Sequence, residues 1–345
     1  MVIVMILERY TRVHRQGSHC ASSVLRTILQ GQGYALSEDL CFGLGSGLGF
    51  TYQKYLGLDY YFFTGRNESL EENVGGVLGA YIHTGNIDDP EKGWMDVKQW
   101  IDAGIPVVLD MDMMYLPFLR DFLKLKKSFH FGLHSALLVG YDESRNEAYL
   151  LERLWNSVQV ISLSDLMAAR NSKDAPVIPD NRYKVIIFPE VKRDLSQAIL
   201  DAIAINIHRM KEPYAFKMGL AGLKMFAREV PKWRVIYSES ERKNHAYMAA
   251  ALFEKVGTGG GNFRRMYARF LLEASEITQL TGLRNCADTY LELFRLWRRL
   301  IHLFEQGADD PTKGIYSQNG EPEKVLQQLV EKEYQAIEQL EQAIS

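Results

Sequence analysis

The chain has 345 residues, of which 47% are hydrophobic and 24% charged, and Lys+Arg 40 against Asp+Glu 43 leaves a net charge of −3. This mixture supplies a sizeable core, argues against wholesale disorder, and is too near neutrality for charge-driven binding of nucleic acid. No stretch approaches the roughly 18 apolar residues of a membrane span, so no membrane partner is expected.

At roughly 150 residues per domain, the length predicts two domains. The apolar start, Met1 to Leu7, has no basic segment before it and no small-residue cleavage site after it, and reads as a buried strand or lead-in. Cys20 opens a helical pattern with Val24, Leu25, Ile28 and Leu29 on its apolar face, closing near Gly31 and Gly33. A glycine-rich segment follows over 41–50, then helical patterns at 68–81 and 91–103. Strand-like runs come next: Ile105–Met111, His134–Tyr141, Glu147–Leu154, Ser157–Ile161 and Tyr183–Phe188, with a turn at Asp142–Asn146. The fold class is α+β, a small, mostly antiparallel sheet beside helices.

From about residue 190 no strand is expected, and helical patterns run at 193–211, 214–229, 240–256, 263–279, 284–305 and 323–344. In the last, Leu326, Leu329, Val330, Tyr334, Ile337, Leu340 and Ile344 share one face, which leaves a homodimer open. Pro189 and the charges after it mark a boundary, giving domains 1–189 and 190–345.

Cys20, Cys41 and Cys286 are too few and too odd in number for a disulfide framework, which fits a reducing cytoplasm. They lack zinc spacing, His130 and His134 lack the glutamate of a helical zinc motif, and Asp110 and Asp112 are thin as ligands, so no metal is expected. Cys20 is the chemical candidate, because a helix start favours the reactive thiolate. Such a thiolate needs a base, and among His14, His19, His83, His130 and His134 the best placed is His134, at the start of an apolar strand. Glu152, on the strand after the turn, or Asn156 would orient that base. Against this stands the commoner role of a lone cysteine as a small buried hydrophobe, the reading given to Cys41 and Cys286. The alternating glycines from Gly43 to Gly49 do not fit the dinucleotide fingerprint, and Gly45 and Gly47 read as a tight backbone passage near the site.

The segments Ser18-His-Cys-Ala-Ser-Ser23, Leu36-Ser-Glu38, Phe42-Gly-Leu-Gly-Ser-Gly-Leu-Gly-Phe50 and His134-Ser-Ala-Leu-Leu-Val-Gly-Tyr-Asp142 resemble the butirosin-biosynthesis acyltransferase family. The histidine strand also resembles that of papain-like bacteriocin-processing peptidases. Phe216-Lys-Met-Gly-Leu220 and Gly259-Gly-Gly-Asn-Phe-Arg-Arg-Met-Tyr-Ala-Arg-Phe-Leu271 resemble the helical domain that often follows. The resemblance implies a papain-like domain and transfer of an acyl group from an acyl carrier protein's thioester to a small-molecule amine. Cys20 is then the nucleophile, His134 the base and Glu152 the orienting group, where relatives often have Asp. The relatives' oxyanion glutamine, six residues before the cysteine, is His14 here, so the Cys20 N–H with Gln16 or His19 is expected to serve. No cofactor is implied beyond the phosphopantetheine carried by the donor protein. For that phosphate, or for the carrier's acidic surface, Gly260, Arg264 and Arg265 are candidates, with Arg295, Arg298 and Arg299 beyond them. A capping loop with a solvated basic face is the plainer account of Gly260 to Arg265.

Two other readings stay open. A papain-like peptidase or amide hydrolase would share the pair and use water in place of the amine. A non-catalytic binding protein would have Cys20 buried or remote from His134.

Overall fold

The computed structural model describes residues 5–345 apart from 56, 127, 128 and 257, so most of the apolar start lies outside the described residues. In chain order the first elements are β1 (Met5–Ile6), α1 (Glu8–Val13), α2 (Cys20–Gly31), α3 (Glu38–Leu44), β2 (Leu48–Gln53), β3 (Phe62–Arg66), α4 (Leu70–Leu78) and β4 (Tyr81–Gly85). There follow α5 (Pro90–Asp102), β5 (Val107–Met111), α6 (Pro117–Leu123), β6 (His134–Asp142), β7 (Glu147–Leu151), β8 (Gln159–Ser162), α7 (Leu163–Asn171) and β9 (Tyr183–Ile187). The remainder is helical: α8 (Leu195–Lys211), α9 (Gly219–Glu229), α10 (Trp233–Ile236), α11 (Glu239–Glu254), α12 (Arg264–Thr278), α13 (Thr281–Asp309) and α14 (Glu321–Ile344).

These elements form two compact units. Unit one holds the residues up to Glu38 together with Gly79–Lys192, and unit two holds Asp39–Leu78 together with Arg193–Ser345. The expected change near residue 189 has its counterpart at Lys192, but residues 39–78 leave the expected 1–189 domain and join the helical unit. Local periodicity carries no sign of that exchange, because long-range pairing decides it.

Unit one is α+β. Its sheet runs β4-β9-β5-β6-β7-β8, every neighbouring pair antiparallel, and β1 takes the edge of β6 beyond β5. β6 is buried along its whole length, as a strand flanked on both edges and covered on both faces should be. Gly140 is needed there, since a Cβ would lie 2.0 Å from the Met5 carbonyl oxygen as β1 crosses. α5 starts on Asp89, whose carboxylate accepts the Lys92 N–H, with Pro90 at the first position, and it buries Trp94, Val97 and Ile101 in the sheet's core. α2 packs on β6 through its apolar face. β4, of which the sequence reading placed Tyr81 at a helix end and gave the rest no element, is an edge strand that pairs with β9 among the described residues.

Unit two is built on α13, whose Leu283, Ala287, Tyr290, Leu293, Trp297, Leu300, Ile301 and Phe304 are buried at helical spacing against α11, α12 and α14. α14 buries Leu326, Leu329, Ile337 and Leu340 as expected, while Tyr334 is exposed. The glycine-rich segment, read as a tight backbone passage, forms the end of α3 and the start of β2, and β2 pairs with β3 as a hairpin. Between residues 190 and 345 no strand forms among the described residues, and Met218 makes a single bridge to Thr51.

Candidate active site

The sharpest polar cluster of unit one lies at three element ends. Cys20 is the first residue of α2, His134 the first of β6, and Glu152 the residue after β7. The β6–β7 register pairs Leu137 with Leu151 and Leu138 with Leu150. Extended by the same register, it leaves Glu152 one diagonal step from His134 on the same face. The contact is made: His134 Nε2 lies 3.1 Å from Glu152 Oε1, with the ring N–H angled off that line. Glu152 Oε2 accepts the Leu154 N–H at 2.7 Å, and Arg153 Nε stands 4.0 Å from Oε1. With Nε2 turned to Glu152, Nδ1 is the ring nitrogen left for Cys20.

The cluster is shielded from water, so Cys20 has the burial expected of a non-catalytic binding protein but not the separation from His134. Cys20 is 7% exposed, His134 3% and Glu152 not at all. Burial is the largest influence on Cys20 and would raise its thiol. The electrostatic pull of His19 and a hydrogen bond with His134 overcome it and hold the thiol well below its ordinary value. Burial would likewise lower His134, but its contacts with Cys20 and Glu152 reverse this and raise it to about 9. Each shift favours the charged form of its group, a thiolate facing an imidazolium.

The start of α2 has an accountable set of donors. His19, the N-cap, is extended at φ −135° and ψ 140°; its Nδ1 accepts the Ser22 N–H at 3.4 Å and its carbonyl accepts the Ser23 N–H at 3.0 Å. The N–H groups of Ser18 and His19 go to the carboxylate of Glu38 at 2.9 Å. Among the described residues, the N–H groups of Cys20 and Ala21 have no partner, as the first turn of a helix allows.

The remaining expected site residues divide. Asn156 is not at His134, for its side-chain oxygen accepts the Gln16 N–H at 2.8 Å. The Gln16 amide donates to the Leu154 carbonyl at 2.6 Å, so it braces a loop. His14 is buried with Nε2 3.1 Å from the carbonyls of both Glu152 and Trp155 and Nδ1 2.9 Å from the Thr27 hydroxyl. Its ring is spent on holding the Glu152 loop against α2. His130 lies on Asp112, Nδ1 to Oδ2 2.7 Å, and so forms no joint site with His134.

In unit two, Gly45 and Gly47 answer to packing: a Cβ would lie 2.5 Å from Leu70 Cδ1 at one and 2.5 Å from the Phe42 carbonyl oxygen at the other. Arg264 is a correction. It is fully buried, its Nε 2.7 Å from Glu333 Oε1 and its Nη1 within hydrogen-bond reach of the Gly49, Gly65 and Asn262 carbonyls, with Trp297 beneath it. A guanidinium so enclosed is out of reach of a carrier's phosphate. The glycine loop is also taken, Gly260 N–H by the Thr258 hydroxyl and Gly261 N–H by Glu254. Arg265 is exposed over the Phe294 ring; Arg298 and Arg299 pair with Glu254 and Glu321, and Arg295 is exposed.

Cys41 and Cys286 are buried, and burial pushes the Cys286 thiol up to about 11, the opposite of Cys20. None of the three cysteines is in a disulfide. Sequence reasoning passed over Glu38 and the bracing part of His14. The Leu36-Ser-Glu38 motif was the available signal for the first, and nothing local marks the second. No helix is long and apolar enough to cross a membrane among the described residues.

Comparison with known proteins finds two family matches along the chain. Residues 19–153, the span from His19 to Arg153 that contains Cys20, His134 and Glu152, match the family described as Butirosin biosynthesis protein H, N-terminal. Residues 164–340 match the family described as Domain of unknown function (DUF4872), whose match begins inside unit one, in α7. No curated protein matches the chain. The second match spans just over half of the chain, so the chain belongs to the family described as Domain of unknown function (DUF4872), carrying a butirosin biosynthesis protein H-like N-terminal region.

Proposed function

We propose that this chain is a biosynthetic, cysteine-dependent acyltransferase that moves an acyl group from a carrier-protein thioester to an amine, with unit one acting as a papain-like domain. The observation that carries this reading is the Cys20–His134–Glu152 line, a thiol at a helix start beside an imidazole that a buried carboxylate steadies. Family membership supports a biosynthetic enzyme.

In this reading the Cys20 thiolate attacks the thioester carbon, and the carbonyl oxygen gathers charge facing the Cys20 and Ala21 N–H groups. Collapse expels the donor's thiolate, which takes the proton of His134. One C–S bond replaces another, so the step is nearly isoenergetic. The amine then attacks the acyl-Cys20 carbon, and neutral His134 removes its proton. Cys20 leaves as a thiolate, and the starting pair is restored. Thioester to amide runs downhill, so the enzyme needs no ATP and no cofactor of its own; the phosphopantetheine belongs to the donor. Burial of the three residues favours an amine over water.

The test is intact-mass analysis after mixing with a butyryl-N-acetylcysteamine thioester, then with a panel of amines. Acylation confined to Cys20, absent in Cys20→Ser and discharged faster by an amine than by water, is the expected result. Discharge by water alone moves the assignment to a hydrolase. No acylation of Cys20 overturns the reading in favour of a binding protein.

A further inference from the structure

The segment before the nucleophile, residues 15–19, has no regular structure, yet both polar directions of its backbone are held from one side. Arg26, one and a half turns into α2, donates to the carbonyls of Arg15 and Gln16. Glu38 takes the N–H groups: Oε2 accepts from Ser18 at 2.9 Å, and Oε1 accepts from His19 at 2.9 Å and from the Ser22 hydroxyl at 2.9 Å. The two side chains face each other at 3.7 Å and are each only a tenth exposed. Gly17 lets the segment lie this close, because a Cβ there would be 2.6 Å from Ser23 Oγ and 2.9 Å from Glu38 Oε2. A carboxylate with that many donors at ordinary distances is anchored, and so is what it anchors.

We infer that Glu38 is a positioning residue of the Cys20 centre: by occupying the Ser18 and His19 N–H groups and the Ser22 hydroxyl, it leaves the N–H groups of Cys20 and Ala21 fixed and open for the oxyanion of the acyl group. The inference rests on the acyl-transfer reading. It separates two properties of Cys20. Making a nucleophilic thiolate depends on His134 and His19. Attacking a carbonyl depends in addition on donors held still where charge develops. Alkylation by iodoacetamide, a displacement at saturated carbon, needs only the first.

The experiment compares Glu38→Ala and Glu38→Gln with the unaltered protein by two rates at Cys20, iodoacetamide alkylation and acylation by butyryl-N-acetylcysteamine. The expected result is alkylation within a few-fold in all three, with acylation about 100-fold slower in Glu38→Ala. Glu38→Gln, which keeps one oxygen for the donors at Oε1, should recover to within about tenfold of the unaltered rate. Equal acylation in all three overturns the inference. So does a parallel fall of both rates, the mark of a merely structural loss. Failure of the unaltered protein to acylate at all overturns the proposed function and takes this inference with it, an outcome distinct from the other two.

Discussion

Each unit buries an ionic pair, and the two pairs are built differently. In unit two, Arg264 and Glu333 are fully enclosed, and the guanidinium is further tied to three backbone carbonyls. The planar guanidinium fork suits such a buried structural tie. In unit one, Cys20 and His134 share a movable proton, and each stands at the start of an element. Burial of charge by itself is thus no mark of chemistry. The functional signal is burial joined to groups whose protonation is pushed toward each other's range.

The comparison breaks most visibly at His134. His134→Ala removes the hydrogen bond and the charge that hold the Cys20 thiol down, and leaves burial, which raises it, with His19 as the main counterweight. Alkylation of Cys20 at pH 6 should fall by about 100-fold or more. Cys41 and Cys286, both buried in unit two, serve as internal controls for unfolding. Unchanged alkylation would mean that His19 alone sustains the thiolate.

The second prediction concerns the structural pair of unit two. Arg264→Met leaves Glu333 buried without its partner and frees three carbonyls, and it should cost about 3–5 kcal/mol in denaturant unfolding. Arg264→Met with Glu333→Leu should recover part of that loss, since a matched apolar pair avoids the stranded charge. Cys20 alkylation, referred to the folded fraction, should not change in either variant. A cost under about 1 kcal/mol for the single variant would show the pair to be dispensable.

How much of this was legible in the sequence follows the same division. The α2 start, the His134 strand and the hairpin to Glu152 are local: each rests on a periodic run, a turn and a short register. The α+β class and the helical remainder rest on the same signals. β4 was missed because an edge strand paired on one side only lacks the continuous apolar run of β6. The place of 39–78 was missed because the β2–β3 hairpin takes its partners, Phe226, Trp233 and Phe253, from far along the chain. Arg264 was misread for a related reason: a basic residue after a glycine loop looks solvated until the carbonyls of Gly49 and Gly65 are brought to it.

The smallest expected effect is also the most exacting, because it changes charge and almost nothing else. Glu152→Gln keeps the side chain's shape and an oxygen for the Leu154 N–H while removing the negative charge beside His134. His134 sits at about 9, although burial opposes it, because Cys20 and Glu152 favour the protonated ring. Without the Glu152 charge it should fall, and the Cys20 thiol, losing part of its imidazolium, should rise. The pH range of the thiolate–imidazolium pair then narrows from both sides, which alkylation against pH reads directly. The stability difference has a fixed sign as well. A histidine raised in the fold stabilises it fully below its unfolded value near 6.5 and loses that contribution as pH rises through about 9. The variant should therefore melt below the unaltered protein at pH 6, with the gap shrinking through pH 9. An alkylation profile that does not move would assign Glu152 to holding the loop after β7 and leave Cys20, His134 and His19 to carry the charge balance alone.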